Sequence, residues 1–213
     1  MNKLVLRDET FKVKECKIWG YVGRKNEAWY IRWCVYVACE EKIRVWIDDG
    51  DEYSQILRPS MEANTLPIEV EHWHDLDGIT VSSGPNVDFE YLDPNDSRPI
   101  YSIYVYEHNK CSNNVISFSD RRGSHFRVRW SGTAYTFGPR DDQFELDATA
   151  KFTGISMGSE IDDEADVDAG QLLEIFSNAI AIDGFVQGPI RFDRFTEDGV
   201  TTVSFEAKFT PVS

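Results

Sequence analysis

The residues best placed for metal chemistry are two histidines separated by one position, His72 and His74. Residues i and i+2 of a β-strand share a face, so both imidazoles would reach one metal ion, with Asp75 or Asp77 nearby. The same alternation puts both histidines on the face of the apolar residues that precede them, which would turn inward. We therefore expect hydrogen-bonded structural histidines, and we predict no metal ion and no cofactor.

Two clusters of carboxylates stand out from the rest of the chain. One lies at residues 48–52 and the other at residues 160–168. The cluster at 160–168 suggests a calcium site, but an EF-hand loop needs glycine at its sixth position and glutamate at its twelfth. Counted from Glu164, those positions hold Ala169 and Ile175. Both clusters are therefore interpreted as solvated acidic loops, and we predict that they form a partner-binding surface made of Asp48, Asp49, Asp51, Glu52, Asp162, Asp163, Glu164 and Asp166.

Charge is segregated along the chain, which carries a formal net charge of −15. Residues 1–47 hold ten Lys/Arg against six Asp/Glu, whereas residues 48–120 hold three against fifteen. Residues 121–151 return to six against four, and residues 152–213 fall to three against twelve. Such a surface repels nucleic acid and anionic membranes and attracts a protein partner with a basic surface.

The sequence shows no motif for phosphate chemistry. There is no phosphate-binding loop and no Gly-x-Gly-x-x-Gly motif, and Gly158-Ser-Glu and Gly132-Thr-Ala do not fit a serine-nucleophile motif. Carboxylates are too numerous to single out a glycosidase pair. We predict no catalytic residue and expect a protein that is not an enzyme.

The densest basic segment alternates with apolar residues. Arg127 and Arg129 would share one face of a strand, and Phe126, Val128 and Trp130 the other, so arginines and aromatic rings would not line one groove. We instead expect this strand to neighbour the strand around residues 144–152, with its arginines facing Glu145 and Asp147.

The elements that must position these residues are mostly strands, because the dominant hydrophobic period is two. A hairpin is predicted between 14–22 and 29–37, and an acidic turn at 48–52 follows a strand at 42–47. Further strands are predicted over 68–73, 78–82, 86–91, 100–107, 114–119, 124–130, 144–152 and 203–209. One segment has a helical period, near residues 168–182, with Asp168 as its N-cap and Gly184 as its stop.

These elements predict a mainly β fold, an antiparallel β-sandwich or open barrel of one or two β-units with one helix near residues 168–182. We treat residues 1–213 as one β-rich domain, with a possible linker at 57–67 that would divide it into 1–56 and 68–213. The four cysteines show no Cys-x-x-Cys spacing and are expected to be buried, reduced thiols. The amino terminus lacks the apolar run of a secretory signal, so we expect a cytoplasmic protein.

These observations favour a non-enzymatic protein-binding protein that presents an acidic surface to a basic partner. An immunity-type protein that neutralises a basic toxin is one instance, and homo-oligomerisation is compatible with the same pattern. The alternative is a β-sandwich that binds a small molecule or carbohydrate, or a metal-dependent enzyme that uses His72 and His74. Its sugar platform would come from exposed tryptophans, with Trp19, Trp46 and Trp73 as candidates.

Overall fold

The chain folds into a mainly β structure with one helix, as predicted. The computed structural model describes residues 2–25, 27–85, 100–105, 108–135, 142–161, 168–197 and 200–212. A 3₁₀ turn spans Trp73–Leu76, and the helix α1 spans Ala169–Ala179. The strands are β1 (Lys3–Leu6), β2 (Glu9–Lys25), β3 (Ala28–Cys39), β4 (Lys42–Asp48), β5 (Asp51–Leu57), β6 (Ser60–Leu66), β7 (Thr80–Ser82), β8 (Tyr101–Tyr104), β9 (His108–Arg122), β10 (His125–Ala134), β11 (Asp142–Ile161), β12 (Phe185–Gln187), β13 (Arg191–Glu197) and β14 (Val200–Pro211).

Eight strands close into a β-barrel. Their order is β1-β2-β3-β6-β8-β9-β10-β11, and β11 returns to pair with both β1 and β2. Neighbouring strands are antiparallel except where β11 runs parallel to β2. The barrel encloses the apolar residues that alternate along its strands, including Trp33, Trp130 and Phe152, all of which are fully buried. The period-two pattern therefore identified the inward face correctly.

Strand β11 takes part both in the barrel and in an extension beyond it, and its register against β2 shifts between Phe152 and Ile155. Its first part pairs with β10 and β1, and its last part pairs with β14 outside the barrel. Gly154 has φ +110°, and a Cβ added there would lie 2.3 Å from the carbonyl oxygen of Phe209. Only glycine fits this close approach, which lets β11 leave the barrel and join the extension formed with β12, β13 and β14.

Helix α1 begins where the sequence predicted. The side chain of Asp168 accepts a hydrogen bond of 2.9 Å from the backbone N–H of Gln171, as an N-cap residue does. Leu172 and Phe176 form its buried face, and the ring of Phe176 stacks on Phe209 at 3.8 Å. The helix thereby packs against the extension as well as against β3.

Several predicted strands agree with the structure, and one is wrong. Strands β2 and β3 form the predicted hairpin, in which Val22 pairs with Ile31. The strand predicted at 68–73 is wrong. None of these residues forms a strand, and the last of them, Trp73, begins the 3₁₀ turn. Trp73 and Leu76 are both buried, and a spacing of three fits a tight helical turn rather than a strand. The predicted strand at 86–91 lies outside the described residues.

The segment singled out as a possible linker, 57–67, contains strand β6. Met61, Ala63 and Leu66 are buried in the barrel. Strand β6 pairs with β3 on one side and with β8 on the other. These partners come from the sequence before and after the segment, so the barrel contains strands from both of the stretches that the possible linker would divide.

Candidate functional site: a protruding arm with an acidic tip

Strands β4 and β5 form a two-stranded sheet apart from the barrel, which we call the arm (residues 42–57). The arm continues the β3–β6 ribbon, because Ala38 pairs with Ser60 and, a few residues further along both strands, Lys42 pairs with Leu57. Seven residues per strand give it a reach of roughly 20 Å. The arm turns back at Asp49 and Gly50, whose φ angles of 50° and 90° match the Asp-Gly turn favoured in two-residue hairpins.

Ion pairs and hydrogen bonds attach the base of the arm to the barrel. The ammonium of Lys42 donates to a carboxylate oxygen of Glu9 at 2.8 Å and lies 5.1 Å from the centre of the Phe11 ring. The guanidinium of Arg58 pairs with Glu41 at 2.8 Å. Leu57, the last residue of β5, is buried in the core. These contacts set the direction in which the arm leaves the barrel.

One face of the arm is aliphatic and fully open to solvent. The cross-strand register places Ile43 opposite Ile56, Val45 opposite Ser54, and Ile47 opposite Glu52. The four aliphatic side chains are between 54% and 75% exposed. Single exposed apolar residues are common, but a contiguous stripe on a protruding hairpin is typical of a binding surface. We call this stripe, Ile43, Val45, Ile47 and Ile56, the aliphatic face.

The opposite face of the arm carries the exposed aromatic pair. Trp46 lies across from Tyr53, and their rings stack at 5.8 Å with an angle of 19°. Both side chains are at least 40% exposed. An isolated two-stranded hairpin is marginal in water, so this stacked pair contributes to holding the arm together where no barrel strand lies beneath it.

Four of the predicted partner-binding residues meet at the end of the arm. Asp48, Asp49, Asp51 and Glu52 are all exposed, and within the described part of the chain none of them has an ion-pair partner. We call these four residues the acidic tip. The other four predicted residues, Asp162, Asp163, Glu164 and Asp166, lie outside the described residues.

The aliphatic face was missed from the sequence, although its signal was present. Ile43, Val45 and Ile47 alternate with charged or aromatic residues, which is the pattern of a strand with one face in a core. Periodicity shows that such a face exists but not what covers it. Ile56 on β5, a strand that we did not predict, completes the stripe.

The two histidines come together in a turn rather than on a strand. Their rings stack in parallel, 4.9 Å apart and inclined by 5°. The carboxylate of Asp75 lies 3.0 Å from Nδ1 of His74 and 3.5 Å from Nδ1 of His72. One possible ligand atom from each of the three residues lies within 4.8 Å of the others, and all three side chains are partly open to solvent.

Hydrogen bonding stabilises the charged form of Asp75. Partial desolvation acts against ionisation, but hydrogen bonds from the side chain of His74 and the backbone of His72 hold the pKa of Asp75 below its ordinary value. Buried Trp73 and Leu76 anchor the turn, and Trp73 stacks on Phe152 at 5.0 Å. Zinc is commonly held by histidine and carboxylate ligands, so the group has a suitable donor set.

The candidate tryptophans do not form one platform. Trp73 is buried among aromatic rings of the core and so does not belong to an exposed sugar platform. Trp46 lies on the arm, and Trp19 lies on the barrel surface in an edge-to-face contact with Tyr21 at 6.4 Å.

The fold and this geometry define a class: a closed β-barrel with a protruding, amphipathic arm. No protein-family model, curated protein or solved structure matches the chain.

The helical part of the described chain offers no membrane span, because α1 has only 11 residues. A bilayer-spanning helix requires about 20 predominantly apolar residues.

Proposed function

We propose that this protein acts by binding another protein, without catalysis, and that the arm is its contact element. The observation that carries the proposal is the aliphatic face, four β-branched side chains held in solvent on a hairpin that buries almost nothing of its own. Complete burial of one such side chain contributes about 1.5–3 kcal/mol, so a partner that covers the stripe gains a substantial apolar contribution.

The acidic tip specifies the chemistry of that partner. The four carboxylates at the end of the arm produce a local negative potential at the point farthest from the barrel along the arm. A basic partner surface therefore fits this arm, and complementary charge accelerates association and favours one orientation. Neutralisation of a basic toxin by an immunity-type protein remains one instance of such binding.

The proposal is tested with a charge-neutral tip. The variant Asp48→Asn, Asp49→Asn, Asp51→Asn, Glu52→Gln keeps the Asp-Gly turn compatible with its backbone, because asparagine tolerates positive φ. Its matched control neutralises four exposed carboxylates elsewhere, by Glu69→Gln, Glu174→Gln, Asp183→Asn and Asp193→Asn. Both variants and the native protein are used to capture partners from an extract of the source organism, and each captured partner is purified and its association rate measured.

We expect the association rate of the native protein to fall by on the order of tenfold or more as salt is raised from about 50 to about 500 mM. The tip variant should associate slowly at all salt concentrations, while the control should behave like the native protein. Equal losses in both variants would show that only net charge matters, and a partner bound equally by all three proteins would refute the role of the arm.

A second candidate function rests on the cluster of His72, His74 and Asp75, whose donor atoms lie close enough to share one divalent transition metal. The expected affinity is modest, since the three ligands come from one exposed turn. Zinc titration of the native protein by calorimetry, compared with His74→Ala and with the control His125→Ala, tests it. Binding of one equivalent that is lost only in His74→Ala supports the site, and identical titrations of all three proteins rule it out.

A further inference from the structure

Strand β4 has an unpaired edge. In the described part of the chain its only strand neighbour is β5, so the backbone N–H and C=O groups on its outer side have no ladder partner from about Ile43 to the tip. Such an edge readily pairs with another strand, and many proteins recognise a partner by adding a strand in this way. The side chains along this edge then indicate which strand can pair with it.

The sequence of β4 is complementary to itself in reverse. It reads Lys42-Ile-Arg-Val-Trp-Ile-Asp48, with Val45 at its centre. If two copies run antiparallel with Val45 opposite Val45, then Ile43 lies opposite Ile47 and Arg44 opposite Trp46. The ends match too, because Lys42 lies opposite Asp48. Every cross-strand pair is then an ion pair, a cation–π pair or an aliphatic pair.

We propose that β4 pairs with β4 of a second copy of this chain across a two-fold axis at Val45, giving a continuous sheet in the order β5-β4-β4-β5. This inference rests on the proposed function, since the arm is the contact element in both; it assigns an occupant to the edge of β4 and leaves the aliphatic face uncovered. A two-fold contact uses the same patch on both molecules, as this pairing requires. The acidic tip of each arm then lies by the base of the other, which carries Lys42, Arg44 and Arg58.

Alternative pairings of the arm lack this complementarity. Pairing β5 with itself about Ser54 places Asp51 opposite Leu57 and Glu52 opposite Ile56, so carboxylates face aliphatic side chains. Shifting the β4 pairing by two residues toward the base brings Arg44 opposite Arg44. The register centred on Val45 is the one that pairs all seven residues of β4 favourably.

The ion pair that Lys42 already makes does not prevent the contact. An ammonium has three donor hydrogens, and Lys42 uses one on Glu9 at 2.8 Å. A carboxylate from the tip of the second copy can accept another. The aliphatic faces of the two arms become one larger face on the same side of the shared sheet, since direct cross-strand partners keep their side chains on one face.

The test uses cysteine substitutions in the full chain. Val45→Cys puts two cysteines directly opposite each other across the axis, at a Cα separation of about 4.5–5.5 Å, which lies within the range found for disulfides. The matched control is Ser54→Cys, which lies across from Val45 at the same height of the arm but on β5. In the shared sheet the two copies of residue 54 are three strand spacings apart, roughly 14 Å.

The native cysteines do not interfere with this readout. Cys16, Cys34, Cys39 and Cys111 are all buried. Burial raises the pKa of Cys16 and Cys39 to about 12 and that of Cys34 to about 11, so these thiols remain protonated and unreactive at neutral pH.

Under mild oxidation we expect a covalent dimer from Val45→Cys and little from Ser54→Cys, with sedimentation of the unmodified protein showing a concentration-dependent dimer. Ile43→Cys and Ile47→Cys should each cross-link poorly alone and efficiently when mixed, because the register pairs 43 with 47. Equal cross-linking of Val45→Cys and Ser54→Cys, or a stronger reaction of Ser54→Cys, overturns the proposal. The proposal is also overturned if the native protein stays monomeric up to about 100 µM and Val45→Cys forms no disulfide. If the tip variant still loses a captured partner in that case, the arm binds a different protein and only the self-pairing fails.

Discussion

Paired charges on the barrel wall show why the positive segments of the chain do not form a basic surface. The guanidinium of Arg127 donates two hydrogen bonds to the carboxylate of Asp147, at 2.9 and 2.7 Å. Arg129 is the direct cross-strand neighbour of the same aspartate. The prediction that these arginines face carboxylates of the neighbouring strand is confirmed for Asp147. Internal pairing of this kind leaves the acidic tip as an exposed and uncompensated charge cluster.

This pair should make stability depend on pH. The hydrogen bonds from Arg127 hold the pKa of Asp147 below its ordinary value. A carboxyl group whose pKa is lowered by folding stabilises the protein above its unfolded pKa, near 3.9, and that contribution is lost as pH falls through the lower folded pKa. We therefore expect Asp147→Asn to lower Tm by a few degrees at neutral pH, with the difference from the native protein disappearing in strong acid.

Thermal unfolding followed by circular dichroism from about pH 7 to about pH 1.5 measures this difference. The control is Glu145→Gln, an exposed carboxylate two residues away on the same face of β11. A loss of stability in Asp147→Asn that is the same at every pH would show that packing, rather than the charge of Asp147, is responsible.

Among the elements, α1 depends most clearly on a local signal. Asp168 caps the start of the helix. Further along the helix, the ring of Phe176 packs against Phe209 and Phe185. Loss of an N-cap side chain leaves a backbone donor unsatisfied at the first turn. The cap and the aromatic contacts therefore act on the same short helix, one at its start and the other along its buried face.

We expect Asp168→Ala to lower the free energy of unfolding by about 0.5–2 kcal/mol, and Asp168→Asn to have little effect, since asparagine caps equally well. Urea denaturation of the two variants provides the measurement. If alanine and asparagine destabilise equally, the carboxylate acts through its charge and not as a cap.

Considered as a whole, the molecule has a closed barrel and an arm that contributes little to the core. All residues from Ile43 to Ile56 are exposed, whereas Leu57 at the foot of the arm is buried. Strands β3 and β6 pair with each other below the arm, where the backbone N–H of Cys39 donates to the carbonyl of Pro59 at 2.9 Å. Folding of the barrel and binding by the arm should therefore be separable.

A shortened chain tests this separation. Replacing residues 44–55 by Asn-Gly leaves Ile43 and Ile56 as the last pair of a short hairpin with a turn that it favours. We expect Tm to stay within a few degrees of the native value while association through the arm is abolished. A large loss of Tm would mean that the arm is needed for the barrel, and would weaken its assignment as a binding element.

Much of the fold followed from the sequence alone. Alternation of apolar residues identified the inward faces of β3, β10 and β11, because side chains of a strand point alternately to its two sides. Asp168 identified the start of α1 because a cap is a local interaction. The strand predicted at 68–73 was wrong because the turn there is determined by where Trp73 and Leu76 find room in the core, and that depends on distant residues such as Phe152.

The sequence by itself determined that the chain is mainly β, that it is strongly acidic, and that carboxylates cluster at residues 48–52. These properties depend on composition and on contacts between neighbours in the chain. The tertiary structure decided that the barrel closes, that His72, His74 and Asp75 meet in one turn, and that an apolar strand face remains in solvent. What covers a strand depends on which other elements pack on it, and no barrel strand pairs with the arm in the described part of the chain.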